Sequence, residues 1–202
     1  MKLKIWELSL FAALVIALLW ATLLEQQQVA LSEQLIRLHV VAHSDEATQQ
    51  ALKLSVRDKV QAYVEPLLAG AETRAEAKAE IEANLPEIQA AAAAAVAAWG
   101  YQSPVQAHLA FASFPTRAYE SFTLPAGRYH SLQIEIGQAA GQNWWCVVFP
   151  PLCIESVSGP QALEVAGLTD AEISLISGDT SGHVVRFRTL ELFNGLRDFF
   201  GQ

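Results

Sequence analysis

Along this chain the spacing of apolar side chains changes several times, and each change marks an element. Residues 8–24 form an uncharged apolar run with Trp, Phe and Leu on every side of a helix, a poor fit to an amphipathic surface helix. Gln34–Val41 then alternates as a strand. Ile36, Leu38 and Val40 share one face, and Leu35, Arg37, His39 and Val41 share the other. Ser44 or Asp45 is placed to cap the next helix, with Glu46 favourable in its first turn. Leu52, Val56, Val60, Tyr63 and Leu67 recur at helical spacing, and Pro66 with Gly70 predicts the end of that helix. A second helical stretch runs from Glu72 to Trp99, with Ile81, Leu85, Ile88, Val96 and Trp99 as its apolar contacts and Gly100 as its stop. Asn84-Leu85-Pro86 predicts a break within it, Asn84 capping the second half.

From Val105 onward the period becomes two. Val105, Ala107, Leu109 and Phe111 alternate with polar or small residues. Leu124-Pro125-Ala126-Gly127 reads as a turn joining Tyr119–Leu124 to Arg128–Ile136 as a hairpin, with His130, Leu132, Ile134 and Ile136 on the buried side. After a turn at 138–142 comes Asn143-Trp144-Trp145-Cys146-Val147-Val148-Phe149, apolar on both faces and therefore expected to be a central strand; Pro150-Pro151 ends it. Residues 155–182 read as a polar excursion, His183–Arg188 as a last strand and Leu190–Phe200 as a terminal helix. The expected fold is α+β: a mostly antiparallel sheet with packed helices, preceded by an N-terminal hydrophobic helix. The division is residues 1–30 as anchor or signal segment and 31–202 as one extracytoplasmic domain, with 155–182 variable.

Charge sharpens this picture. Lys2 and Lys4 precede the apolar run, which places the N-terminus on the cytoplasmic side and the remainder outside. The run is at the lower limit for a membrane span and long for a signal-peptide core, so both an uncleaved anchor and a cleaved signal stand. With 13 Lys and Arg against 21 Asp and Glu, the chain carries a net charge of −8, which repels nucleic acid and anionic lipid. Cys146 and Cys153 are the two cysteines. In an oxidising compartment they pair as a disulfide through a turn at the double proline; the alternative is two buried, unpaired thiols.

Four blocks carry a family likeness: Ile36-Arg37-Leu38-His39-Val40-Val41-Ala42-His43-Ser44-Asp45; Ala51-Leu52-Lys53-Leu54 with Val56-Arg57-Asp58; Leu124-Pro125-Ala126-Gly127; and Gly141-Gln142-Asn143-Trp144-Trp145-Cys146 followed by Phe149-Pro150-Pro151-Leu152-Cys153. In that order they resemble the stage II sporulation protein R family, in which Asn is usual where this chain has His43. The last block is the most specific, and Phe114–Tyr119 resembles the family's segment at that place. The resemblance implies a secreted or membrane-anchored sporulation signal, made in the forespore and exported across its membrane into the intermembrane space. There it would activate the membrane-embedded sigma-E factor-processing peptidase, an aspartic protease that cleaves the sigma factor precursor. No cofactor, metal, nucleic acid or small-molecule substrate is implied.

The residues themselves offer little catalysis. His39 and His43 lack an accompanying metal motif. Cys146 sits mid-strand among apolar residues, where a thiolate is disfavoured. His43-Ser44-Asp45 holds triad residue types side by side, an arrangement adjacent residues do not assemble. An exported enzyme acting on cell-wall material through His39, Asp45 or Cys146 is the competing class. The expected partner contact comprises Arg37, His39, Ser44 and Asp45 as one polar surface, with Phe114, Arg117 and Tyr119 as an exposed patch. The bland readings are a histidine packed within the sheet and a loop whose proline fixes the backbone. Trp144 and Trp145 are either core anchors or partner contacts.

Overall fold

A computed structural model describes residues 9–16, 19, 31–119 and 122–151. Residues 9–16, 19 and 31–34 are helical. There follow β1 (Ile36–Val41), α1 (Ala47–Leu68), α2 (Arg74–Ala83), α3 (Leu85–Ala98), β2 (Val105–Phe114), β3 (Arg117–Ala118), β4 (Thr123–Leu124), β5 (Gly127–Ile136) and β6 (Asn143–Phe149). Four strands form one sheet in the order β2-β5-β1-β6, and β3 and β4 form a separate two-stranded ribbon. β1 is parallel to β5, while β1–β6 and β2–β5 are antiparallel. A parallel pair cannot be closed by a tight turn, and here the three helices, β2 and the β3–β4 ribbon make the crossover. The fold is therefore α+β with a mixed, mostly antiparallel sheet.

The two faces of the sheet have different cover. Ile36, Leu38 and Val40 of β1, Leu132, Ile134 and Ile136 of β5, and Cys146 and Val148 of β6 meet Leu52, Val56, Val60, Val64 and Leu68 of α1 and Ile88, Ala92 and Val96 of α3 in the main core. The α1 stripe keeps a strict four-residue step to its end, so Val64 and Leu68 are buried where Tyr63 and Leu67 were expected, and those two pack at its margin. On the opposite face a smaller core gathers Leu31, Leu35, Phe114, Phe122, Leu124, Tyr129 and Val147.

Local signals set the helix ends, not always as expected. Pro66 lies inside α1, which continues to Leu68; proline in a last turn interrupts little of the ladder. Neither Ser44 nor Asp45 caps α1: the N-cap position is Glu46, with no side-chain bond to the helix. Thr73 and Glu76 make a capping box for α2, Thr73 Oγ1 accepting from Glu76 N at 3.2 Å and Glu76 Oε2 from Thr73 N at 3.3 Å. The break at 84 is present, but the Asn84 amide donates back to the Glu80 carbonyl at 2.9 Å and closes α2 instead of capping α3.

Three strand expectations are corrected. Gln34 belongs to a helical turn, and β1 begins at Ile36. β5 does not pair with residues 119–124; its ten residues pair along their full length with β2, from Val105↔Ile136 to Phe114↔Gly127, against a two-residue ladder between β3 and β4. The longer ladder with matched faces wins. β6 is an edge strand among the described residues, not a central one. Its two apolar faces report the helix layer on one side and the aromatic cluster on the other, and say nothing about how many strands flank it. Phe111, expected inside, is 47% exposed and packs instead against His130 and under the Arg128 guanidinium.

Among the described residues no helix is long and apolar enough to cross a membrane. Leu10, Phe11, Leu14, Val15, Ile16 and Leu19 are all exposed. The remainder of the run at 8–24, the excursion at 155–182 and the elements expected at 183–188 and 190–200 lie outside the described residues.

Candidate functional site

β1 places Arg37 and His39 on the sheet face opposite α1 and α3, because every second side chain projects to that side. Register brings Trp145 opposite His39 and Val147 opposite Arg37. The Arg37 guanidinium is fully buried, 4.2 Å from the centroid of the Phe114 ring and 5.1 Å from that of Tyr129. Its Nη2 donates to the Tyr119 hydroxyl at 2.9 Å, while Nε and Nη1 have no hydrogen-bond partner among the described residues. His39 stacks on Trp145 at 5.8 Å, meets Phe114 edge-on at 5.8 Å, and its Nε2 is 2.8 Å from Asn143 Oδ1. Arg117 lies over Trp145 at 4.5 Å. The result is a layer of alternating guanidinium groups and rings, held by cation–π and edge-to-face contacts.

Burial sets the protonation of this layer. It holds the His39 imidazole below its ordinary 6.5, only partly offset by the bond to Asn143 and by Glu135. Burial also pushes the Tyr129 phenol far above its usual range, against the pull of Arg37. Tyr129 is neutral and donates to the Pro125 carbonyl at 2.8 Å.

Ser44 and Asp45 do something else. Asp45 Oδ1 accepts from Gln142 N at 2.7 Å, and His43 Nδ1 accepts from Gln138 N at 3.0 Å. Backbone bonds from Ala140 to His43 and from Gly141 to Ala42 complete a clamp on the β5–β6 turn. Lys53, buried in α1, donates to the Gln142 carbonyl at 3.0 Å and to Gln50 at 2.7 Å; burial lowers its pKa. Gly141 fits because a Cβ there would lie 2.3 Å from the Ser44 carbonyl oxygen. Its presence in the Gly141–Cys146 block thus has a steric cause.

The structure brings Arg37, His39, Phe114, Arg117 and Tyr119 together and leaves Ser44 and Asp45 at the β5–β6 turn. Arg37 and Phe114, expected at the surface, are 0% and 4% exposed; Arg117 is exposed and Tyr119 half-buried. Both buried residues sit beneath the β3–β4 ribbon, which the sequence pattern had assigned to a longer hairpin. Tyr129 and Asn143 are further members that were not singled out; the parity of Asn143 with Trp145 was the available signal. His39 and Cys146 lie on opposite faces of the sheet, so no thiol–imidazole pair forms between them. Cys146 is buried and not a free thiol. Cys153 lies outside the described residues.

A family model described as stage II sporulation protein R (spore_II_R) matches residues 32–159. The curated Stage II sporulation protein R of Bacillus subtilis (strain 168) is 36% identical over 140 residues, which is 69% of this chain and 62% of that relative. The chain thus covers less than two thirds of the relative's length. No solved structure matches.

Proposed function

Since the chain belongs to the stage II sporulation protein R family and so has a role in sporulation, we propose that it is an exported signal that binds and activates the membrane-embedded sigma-E factor-processing peptidase. In this reading it crosses the forespore membrane, stays anchored or is released, and works in the intermembrane space through contact alone. The observation that carries the non-catalytic part is the division of the candidate groups: His39 and Cys146 face opposite sides of the sheet, and Asp45 is spent on the β5–β6 turn. The exposed apolar side chains at 9–16 and 19 support an anchor or signal role for the N-terminus, since among the described residues they enter no protein core.

An activator must bind the active state of its target more tightly than the inactive one, and a tenfold shift takes about 1.4 kcal/mol of differential binding. The proposed contact is the rim of the guanidinium–aromatic face, Arg117, Tyr119, His39 and Trp145. The test is co-expression with the peptidase and its sigma precursor in a non-sporulating host, precursor cleavage being read by immunoblot. Cleavage with the exported chain, and none when residues 1–24 are removed, is expected. No cleavage with all three proteins folded and correctly placed would overturn the proposal.

A further inference from the structure

Arg37 and Lys53 are both buried cations, but only Lys53 is satisfied. Its ammonium has two oxygen acceptors, at 2.7 and 3.0 Å. The Arg37 guanidinium carries five N–H donors and, among the described residues, has a single acceptor, the Tyr119 hydroxyl, with Nε and Nη1 unfilled. The ion pairs among the described residues are Arg57–Asp58 and Lys78–Glu82, so no described carboxylate reaches Arg37. The Phe114 and Tyr129 rings offset part of the desolvation of the charge and accept no N–H fork. An apolar side chain such as Met would fill the same volume without that cost.

We infer that Arg37 is the floor of an anion site that takes a carboxylate side chain from an acidic peptide segment of the partner. A carboxylate and a phosphate both pair with the guanidinium fork, but a flat, singly charged carboxylate costs less to desolvate between aromatic walls than a doubly charged, more strongly hydrated phosphate. The roof is the β3–β4 ribbon, whose two-residue strands are tied by Arg117↔Leu124 and Ala118↔Thr123 and by the Tyr119–Phe122 backbone bond of 2.7 Å. So short a ladder opens at far lower cost than the ten-residue β2–β5 ladder beneath it. Lifting it breaks the Tyr119–Arg37 bond and frees a third nitrogen for the incoming carboxylate. Arg117, exposed on the ribbon and stacked on Trp145, gives the anion its first electrostatic contact. This site rests on the reading of the chain as a protein-binding signal, and its test therefore uses no partner protein.

The full chain in detergent micelles, labelled with ¹⁵N, is titrated with the capped tripeptide acetyl-Gly-Glu-Gly-amide, with its Gln counterpart, and with inorganic phosphate. The readout is the Arg37 Nε–Hε resonance, assigned by its loss in Arg37→Met, or in Arg37→Lys if the first variant does not fold. A saturable shift with the Glu peptide alone is expected. Tyr119→Phe, which removes the bond holding the roof down, is expected to tighten that binding roughly tenfold by raising the open population. A resonance unmoved by the Glu peptide, or moved equally by the Gln peptide or phosphate, overturns the site. So does weaker binding in Tyr119→Phe. Either result leaves the proposed activation of the peptidase to be judged on precursor cleavage.

Discussion

Single residues in this chain are used according to which side of β1 they fall on. His39 is kept neutral by burial against Trp145 and Phe114, so its folded-state pKa lies below the ordinary 6.5. The folded state then binds fewer protons than the unfolded state between those two values. Stability from this group is complete above about pH 6.5 and is lost as pH falls through the depressed pKa. Thermal melts from pH 7.5 down to 5 are expected to show a decline that His39→Gln reduces; an unchanged decline would assign it to His130, whose pKa is also lowered by burial. At the β5–β6 turn, Gly141→Ala is expected to cost about 1–3 kcal/mol, since the Ser44 carbonyl must move. Asp45→Ala is expected to cost about 1 kcal/mol through loss of the Gln142 bond. Urea unfolding of each variant checks both values. The Asp45 role was hidden in the sequence because the turn it holds lies almost a hundred positions away.

At the scale of elements, period and punctuation in the sequence identified β1, the helical stretches with the break at 84, the alternating run of β2 and the Trp-Trp strand. What they could not give was pairing. The Leu124–Gly127 turn is real as punctuation, yet its flanking segments pair elsewhere, Thr123–Leu124 with Arg117–Ala118 and β5 with β2. Strand order depends on which ladder is longest and which faces match, neither of which is local. The capping box of α2 has a local signature, Thr73 followed three residues later by Glu76. Thr73→Ala is expected to destabilise by about 1 kcal/mol, measured by chemical denaturation, with no change in precursor cleavage because α2 lies away from the guanidinium–aromatic face.

For the molecule as a whole, one sheet separates two tasks: the helix side supplies the main core, and the other side holds the paired rings and guanidinium groups. The site was half legible, since Arg37, His39, Phe114, Arg117 and Tyr119 were identified as residues and converge, but their burial came from a ribbon that the pattern alone did not reveal. The proposed export also implies a Cys146–Cys153 bridge. Denatured, unreduced protein is expected to take up no iodoacetamide; two labels per chain would contradict the bridge. The claim on which the account turns is that the guanidinium–aromatic side of the sheet makes the activating contact. Its most direct measurement is precursor cleavage in the reconstituted system with two matched charge reversals, Arg117→Glu on that face and Lys59→Glu on the exposed side of α1. At equal expression and melting temperature, Arg117→Glu is predicted to cut cleavage at least tenfold and Lys59→Glu to leave it unchanged. Equal cleavage by the two variants, or loss confined to Lys59→Glu, would contradict the account.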